Sequence, residues 1–212
     1  MVSMLTAFGD SIVKTVDLCG QKLGISTLNY ARMGATAPQG EQLIERYKLL
    51  LKPNQIVFIG YGLNDCAYDW TAIAAFPNQE HYPRTSLREY KEAYTRIIET
   101  VRGTGAVPVV LSLPPMDADR YFHFFSRYWT EEEKENVLQW LGGSTTHIAQ
   151  EHELYNTTTW KIAQEQGVQV IDIKNDLLAD GDYLQYLSED GIHPNEKGQA
   201  KIADLIAKLI AA

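Results

Sequence analysis

The chain has 212 residues, 45% of them hydrophobic and 10% aromatic, a composition that suits one soluble globular domain with a sizeable core. Its 19 basic and 27 acidic residues give a formal charge of −8. No Lys/Arg cluster interleaved with aromatics is present, so nucleic acid is not an expected partner, and the acidic balance favours neutral or cationic ligands over polyanions.

Five short apolar runs alternate with helical patterns. "MLTAF" and "STLNYA" read as the first two strands, "QIVFIG" as the third, "AVPVVLS" as the fourth and "VQVIDI" as the fifth. Between the second and third strands, "EQLIERYKLLL" carries Leu43, Ile44, Tyr47 and Leu50 or Leu51 at helical spacing. "SLREYKEAYTRIIETVR" does the same with Leu87, Tyr90, Tyr94, Ile97, Ile98 and Val101, and Ser86 with Glu89 makes a capping box at its start. The last helix, "NEKGQAKIADLIAKLI", is expected to open at Pro194 or Asn195.

This alternation predicts an α/β fold, a three-layer α/β/α sandwich around a parallel sheet of about five strands. The whole of 1–212 reads as a single domain. The stretch from about 114 to 166 is too long for one crossover and is expected to be an insertion over the active edge. Cys19 and Cys66 make neither a disulfide framework nor a Cys-x-x-Cys pair. No run approaches the roughly 18 apolar residues of a membrane span, and "MVSMLTAFGDSI" lacks the pattern of a secretory signal, so the expected location is cytoplasmic.

In sheets of this kind ligands bind beyond the carboxyl ends of the strands. At the first of these ends, "AFGDSI" is compatible with a plain turn and cap, but it also places Ser11 at a helix N-terminus, with its hydroxyl at the mouth of the sheet and its N–H free for an oxyanion. A serine nucleophile needs a base. "SEDGIHPNEKG" supplies His193, with Asp190 three residues earlier and able to fold back onto Nδ1–H, which leaves Nε2 to take the serine proton. Gly34, just past the second strand, can bring its N–H close to a ligand, and Asn64, just past the third, offers a neutral amide donor. Ser11, Gly34 and Asn64 thus make a candidate oxyanion hole.

Taken in order, Gly9-Asp10-Ser11-Ile12, Gly34, Gly62-Leu63-Asn64-Asp65 and Asp190-Gly191-Ile192-His193-Pro194 resemble the successive motif blocks of the SGNH, or GDSL, hydrolase family. The blocks bracket nearly the whole chain. The first has Ile12 where the family's name has Leu, an apolar exchange behind the nucleophile. The resemblance implies a flavodoxin-like fold and hydrolysis of esters or thioesters through a Ser11 acyl-enzyme, with His193 as base and then acid and Asp190 orienting it. It also implies that Asp10 and Asp65 brace their loops and that no cofactor or metal is needed.

Competing constellations are weaker. There is no Gly-x-Ser-x-Gly elbow, "GYGLND" lacks the third glycine of a dinucleotide fingerprint, and His147, Glu151 and His152 miss the zinc-protease spacing by one residue. Cys66 is expected to be an inert thiol.

The aromatic insertion, with Tyr121, Phe122 and Phe125, and the loop bearing Tyr68 and Trp70 are candidate walls of a substrate pocket, although core packing accounts for most of these rings and a homo-oligomer contact is a third use. The expected partner is a small-molecule ester. Short-chain esters, acetylated sugars, lysophospholipids and thioesters are not separated by these features. The alternative from another class is a non-catalytic α/β module that binds a small ligand at the same strand ends or assembles through its aromatic insertion.

Overall fold

The computed structural model describes residues 4–211. Strands β1 (Met4–Gly9), β2 (Ser26–Asn29), β3 (Ile56–Gly60), β4 (Val107–Leu111) and β5 (Gln169–Ile171) are all parallel and lie in the order β2-β1-β3-β4-β5. This is the flavodoxin-like order, which reverses direction between β1 and β3 and so opens a crevice there. Leu5, Ala7, Phe8, Val57, Phe58, Ile59, Val109 and Val110 are buried because these inner strands are covered on both faces, whereas β2, at the edge, has alternate residues exposed.

Helices α2 (Ala37–Tyr47) and α4 (Leu87–Gly103) pack together on one face, with α7 (Thr146–Gln166) beside α4. On the other face α1 (Thr15–Leu23) packs against α9 (Glu196–Ala211), and α9 against α8 (Ile173–Leu178). Ser86 and Glu89 cap α4 reciprocally as expected, and Asn195 rather than Pro194 caps α9, its Oδ1 accepting from the Gly198 N–H at 3.1 Å. The fifth strand is shorter than its sequence suggests. Asp172 turns its side chain onto the Asn175 N–H and starts α8, so Ile173 belongs to a helix.

Between β4 and β5 the chain forms α5 (Ala118–Phe125), α6 (Glu131–Trp140) and α7. Together with α3 (Trp70–Ala75), α5 and α6 build a second apolar cluster from Tyr68, Trp70, Ile73, Phe122, Val137 and Leu141. The later turns of α7 rejoin the main core through Tyr155, Ile162 and Ala163. Thr159 meets the Tyr90 hydroxyl at 2.6 Å, and Asn156 accepts from the Leu113 N–H at 3.1 Å. Among the described residues no helix is long and apolar enough to cross a membrane.

Candidate active site

The carboxyl ends of β1 and β3 meet at paired glycines, Gly9 opposite Gly60. A Cβ on Gly9 would lie 2.2 Å from Val13 Cγ2 and 2.4 Å from the Gly60 carbonyl oxygen, so the absence of a side chain lets the chain turn sharply here. Asp10 closes the turn. Its Oδ1 accepts from the Ile12 N–H at 3.0 Å, and the backbone winds into a single 3-10 turn, Ser11–Lys14, before α1. Ser11 therefore opens a 3-10 turn and precedes the α-helix proper. Among the described residues, neither the Ser11 N–H nor the Gly34 N–H is spent on another backbone group outside helix and strand ladders.

The candidate base, His193, comes from the loop before α9. Ser188 N–H donates to the His193 carbonyl at 2.8 Å and Leu187 bridges Pro194, making a closed loop that swings the imidazole over Ser11. The Ser11 hydroxyl and His193 Nε2 are 2.8 Å apart, and on the far side of the ring Nδ1 is 2.6 Å from Asp190 Oδ2. Asp190 Oδ1 accepts from the N–H groups of Ile192 (3.1 Å) and His193 (3.0 Å), so four short contacts hold the carboxylate and the ring in one orientation with the hydroxyl.

The charges follow from these contacts. The hydrogen bond to Asp190 raises the His193 pKa above its ordinary value, against a smaller opposing effect of burial. Burial works against ionised Asp190 as well, but its hydrogen bonds from the His193 ring and from two backbone N–H groups outweigh this and hold it below the usual carboxylate range. Asp10 differs: almost wholly buried, it is pushed up to about 7 by desolvation, with the Asp65 charge adding to the rise and the Ile12 N–H and His193 opposing it.

Gly34 adopts φ 71°, the left-handed region, at the tip of the loop after β2. The loop is pinned at both sides, Arg32 N–H donating to the Gly9 carbonyl at 2.9 Å and Arg84 to the Gly34 carbonyl at 3.2 Å. Asn64 follows β3, and its amide donates to Asp10 Oδ2 across 3.4 Å, a long bond that ties the third motif block to the first. Asp65 turns inward instead. Its Oδ1 accepts the Ala37 N–H at the start of α2 at 2.9 Å, while Oδ2 is buried without a partner. Burial raises it to about 6.

The predicted pocket residues separate. Tyr68, Trp70 and Tyr121 line an enclosed recess of about 20 Å³, space for one water or a group the size of a methyl. Leu63 and Ile192 also line it, and each immediately precedes a candidate site residue, Asn64 or His193. Phe122 is buried in the second cluster, and Phe125 stacks on Trp70 with ring centroids 5.0 Å apart, facing a separate open groove. Cys66 is buried at the recess wall, where burial pushes its thiol up and its Sγ donates to the Leu63 carbonyl. His152 is buried as well, its Nε2 without a partner and its pKa lowered to about 4 by desolvation. Arg84 carries no sequence signal, and the place of the motif residues Leu63 and Ile192 in the recess wall arises from long-range packing that no local pattern marks.

A serine, a neutral-to-cationic imidazole and a half-buried carboxylate in one hydrogen-bonded line, beside unspent N–H donors at the crevice of a flavodoxin-like sheet, are the parts that acyl transfer requires. The chain belongs to the GDSL-like lipase/acylhydrolase family, whose sequence model matches residues 7–201. Among solved structures it resembles the lipase/acylhydrolase from Enterococcus faecalis (TM-score 0.67, 18% identity, 99% of this chain and 95% of that one). It also resembles a member of the lipolytic G-D-S-L family from Veillonella parvula (TM-score 0.68, 16% identity, 98% of each chain). A GDSL-like lipase from Bacteroides thetaiotaomicron gives a TM-score of 0.65 at 17% identity, over 99% of this chain and 88% of that one. At these identities the likeness is one of fold. A local match of 46% identity over 50 residues links the chain to an acetylxylan esterase from Xylanibacter ruminicola, covering 24% of this chain and 10% of that protein.

Proposed function

We propose that this protein hydrolyses carboxylic esters of short acyl groups through an acyl-enzyme on Ser11. The observation that carries the reading is the uninterrupted line from Ser11 Oγ through the His193 ring to Asp190, with both ring nitrogens engaged at 2.8 and 2.6 Å. In the first half-reaction His193 Nε2 takes the hydroxyl proton as Oγ bonds to the ester carbonyl carbon, and the carbonyl π electrons move onto oxygen. The Ser11 and Gly34 N–H groups and the Asn64 amide receive that oxyanion. Collapse expels the alkoxide, which leaves as the alcohol with the proton from His193. Water then repeats the sequence, giving up a proton to His193 and releasing the carboxylic acid and free Ser11.

Asp10 and Asp65 have positioning roles in this reading. Asp10 holds the turn that presents Ser11 and keeps the Asn64 amide from drifting, and Asp65 anchors the start of α2 behind the Gly34 loop. The small aromatic recess beside Leu63 and Ile192 is the acyl site in this reading, and its small volume limits the acyl group to short chains. The local similarity to an acetylxylan esterase, an enzyme named for an acetyl ester of a sugar polymer, is consistent with that limit.

A fluorophosphonate probe and a p-nitrophenyl ester series test the proposal together. Labelling lost in Ser11→Ala and rates falling steeply from acetate to longer acyl chains are the expected results. A folded protein that neither labels nor hydrolyses any ester refutes the esterase reading, and equal rates on acetyl and octanoyl esters refute the short-acyl limit.

A further inference from the structure

A second depression, which shares no lining residue with the aromatic recess, runs from Arg32 and Met33 along α2 to Arg46. Its volume is about 400 Å³, enough for a sugar-sized group, and Met33 is shared between it and the opening that contains Ser11 and His193. The two spaces are therefore neighbours across one exposed side chain. Ala35, Gly40 and Leu43 give the depression an apolar floor, and Gln39 and Gln42 add neutral polar groups to its rim.

The charge of this region opposes that of the chain. Arg32 and Arg46 line the depression, Lys14 lines the opening, and no carboxylate lines either space among the described residues. None of the three cations has an acidic partner within ion-pair distance among those residues. The acids of the same helix are turned away and engaged, Glu41 with Arg96 at 2.5 Å and Glu45 with Lys48 at 2.6 Å. A second observation comes from the floor. Tyr61 is fully buried, lines the depression, and its hydroxyl has no hydrogen-bond partner. Gly40 admits the ring, since a Cβ there would lie 2.3 Å from Tyr61 Cζ. A buried hydroxyl left unpaired is unfavourable, so an acceptor brought to this position by a ligand is favoured.

We infer that the alcohol half of the ester carries an anionic group, a carboxylate or a phosphate, which seats against Arg32 and Arg46 while the ester carbonyl lies on Ser11. The inference rests on the esterase reading and adds the leaving-group chemistry to it. It also reverses the expectation from net charge, because a local field of fixed cations at the site outweighs a diffuse negative charge that salt screens over about 8–10 Å.

The test compares kcat/KM for three acetyl esters, an acetylated methyl hexoside, the corresponding methyl hexuronide and an acetylated hexose phosphate, at low and at high salt. At least one of the two anionic esters is expected to exceed the neutral one by roughly tenfold at low salt, with the advantage shrinking at high salt. Which of them leads distinguishes carboxylate from phosphate. In Arg32→Gln/Arg46→Gln the anionic-to-neutral ratio should fall to about one, and in Arg46→Glu below one, with fluorophosphonate labelling of each variant reporting that Ser11 remains assembled. Equal rates on all three esters in the wild type, or a preference unchanged in the double variant, overturn the inference while leaving the esterase reading intact. Failure to hydrolyse any acetyl ester, together with absence of labelling, instead overturns the esterase reading.

Discussion

His193 Nδ1 lies 2.6 Å from Asp190 Oδ2, and the same carboxylate is locked by the backbone N–H of His193 itself, so the imidazole and the proposed orienting carboxylate are held in one loop. The pairing raises the His193 pKa, and a base must be neutral to accept the Ser11 proton. Activity should therefore rise with pH through a midpoint above the ordinary imidazole value of about 6.5. Asp190→Asn removes the largest cause of the rise, so the midpoint should fall, and kcat should drop by roughly three to four powers of ten as the ring loses its tautomer. A pH profile of kcat/KM on p-nitrophenyl acetate checks both, and a variant with the wild-type midpoint contradicts the assignment.

Asn64 has a weaker hold. Its amide reaches Asp10 Oδ2 only at 3.4 Å, which leaves it free to tighten on an oxyanion. Asn64→Ala should lower kcat roughly 100-fold, about 3 kcal/mol of transition-state stabilisation, with little change in KM. Single-turnover kinetics would show the loss in acylation. A loss confined to KM would place the amide on the ground-state substrate instead.

Asp65 makes a stability prediction with a definite sign. Its pKa is raised by burial to about 6, and Oδ2 has no partner, so ionisation is unfavourable in the folded state. Its contribution is fully present below its unfolded pKa of about 3.9 and is lost as pH rises through about 6. Asp65→Asn keeps an acceptor for the Ala37 N–H and does not titrate. The variant's melting temperature, relative to wild type, should therefore improve between pH 5 and pH 8, by an amount worth on the order of 1–1.5 kcal/mol. Parallel thermal melts across that range test it, and a pH-independent difference would show that Asp65 remains in one protonation state.

The parts of the fold that were legible in the sequence are those with one dominant local cause. β1, β3 and β4 are buried on both faces and read as unbroken apolar runs, and α4 announces itself by its capping box. The candidate site residues stand out in the sequence because each lies beside a strand end or a short Asp-x-x-His turn. β5 and α8 were not, since "VIDI" suits a strand until Asp172 caps the next turn. Nor was the division of the aromatic rings, because helical spacing marks a buried face without saying which core receives it: Phe122 fills the second cluster while Tyr121, one residue earlier, lines the recess. Arg32 and Arg46 have no sequence relationship at all, and only the packing of α2 against the loop after β2 brings them to one depression.

The loop that carries Asp190 and His193 is held from outside by α5. Gly191 sits at φ 73°, its carbonyl accepts the Asp117 N–H at 2.8 Å, and a Cβ there would lie 2.6 Å from the Asp117 carbonyl oxygen and 2.9 Å from the Tyr121 N. These are backbone atoms of the first turn of a helix, which cannot swing aside as a long side chain does. Gly191→Ala must therefore either strain the loop or push it off α5. Backbone strain of this kind costs about 1–3 kcal/mol, or a fall in melting temperature of roughly 5 °C for a chain of this size. Because His193 is two residues away, the displacement should also slow fluorophosphonate labelling of Ser11 by more than tenfold. A Gly191→Ala protein with wild-type melting temperature and labelling rate would mean that α5 does not set the position of the base.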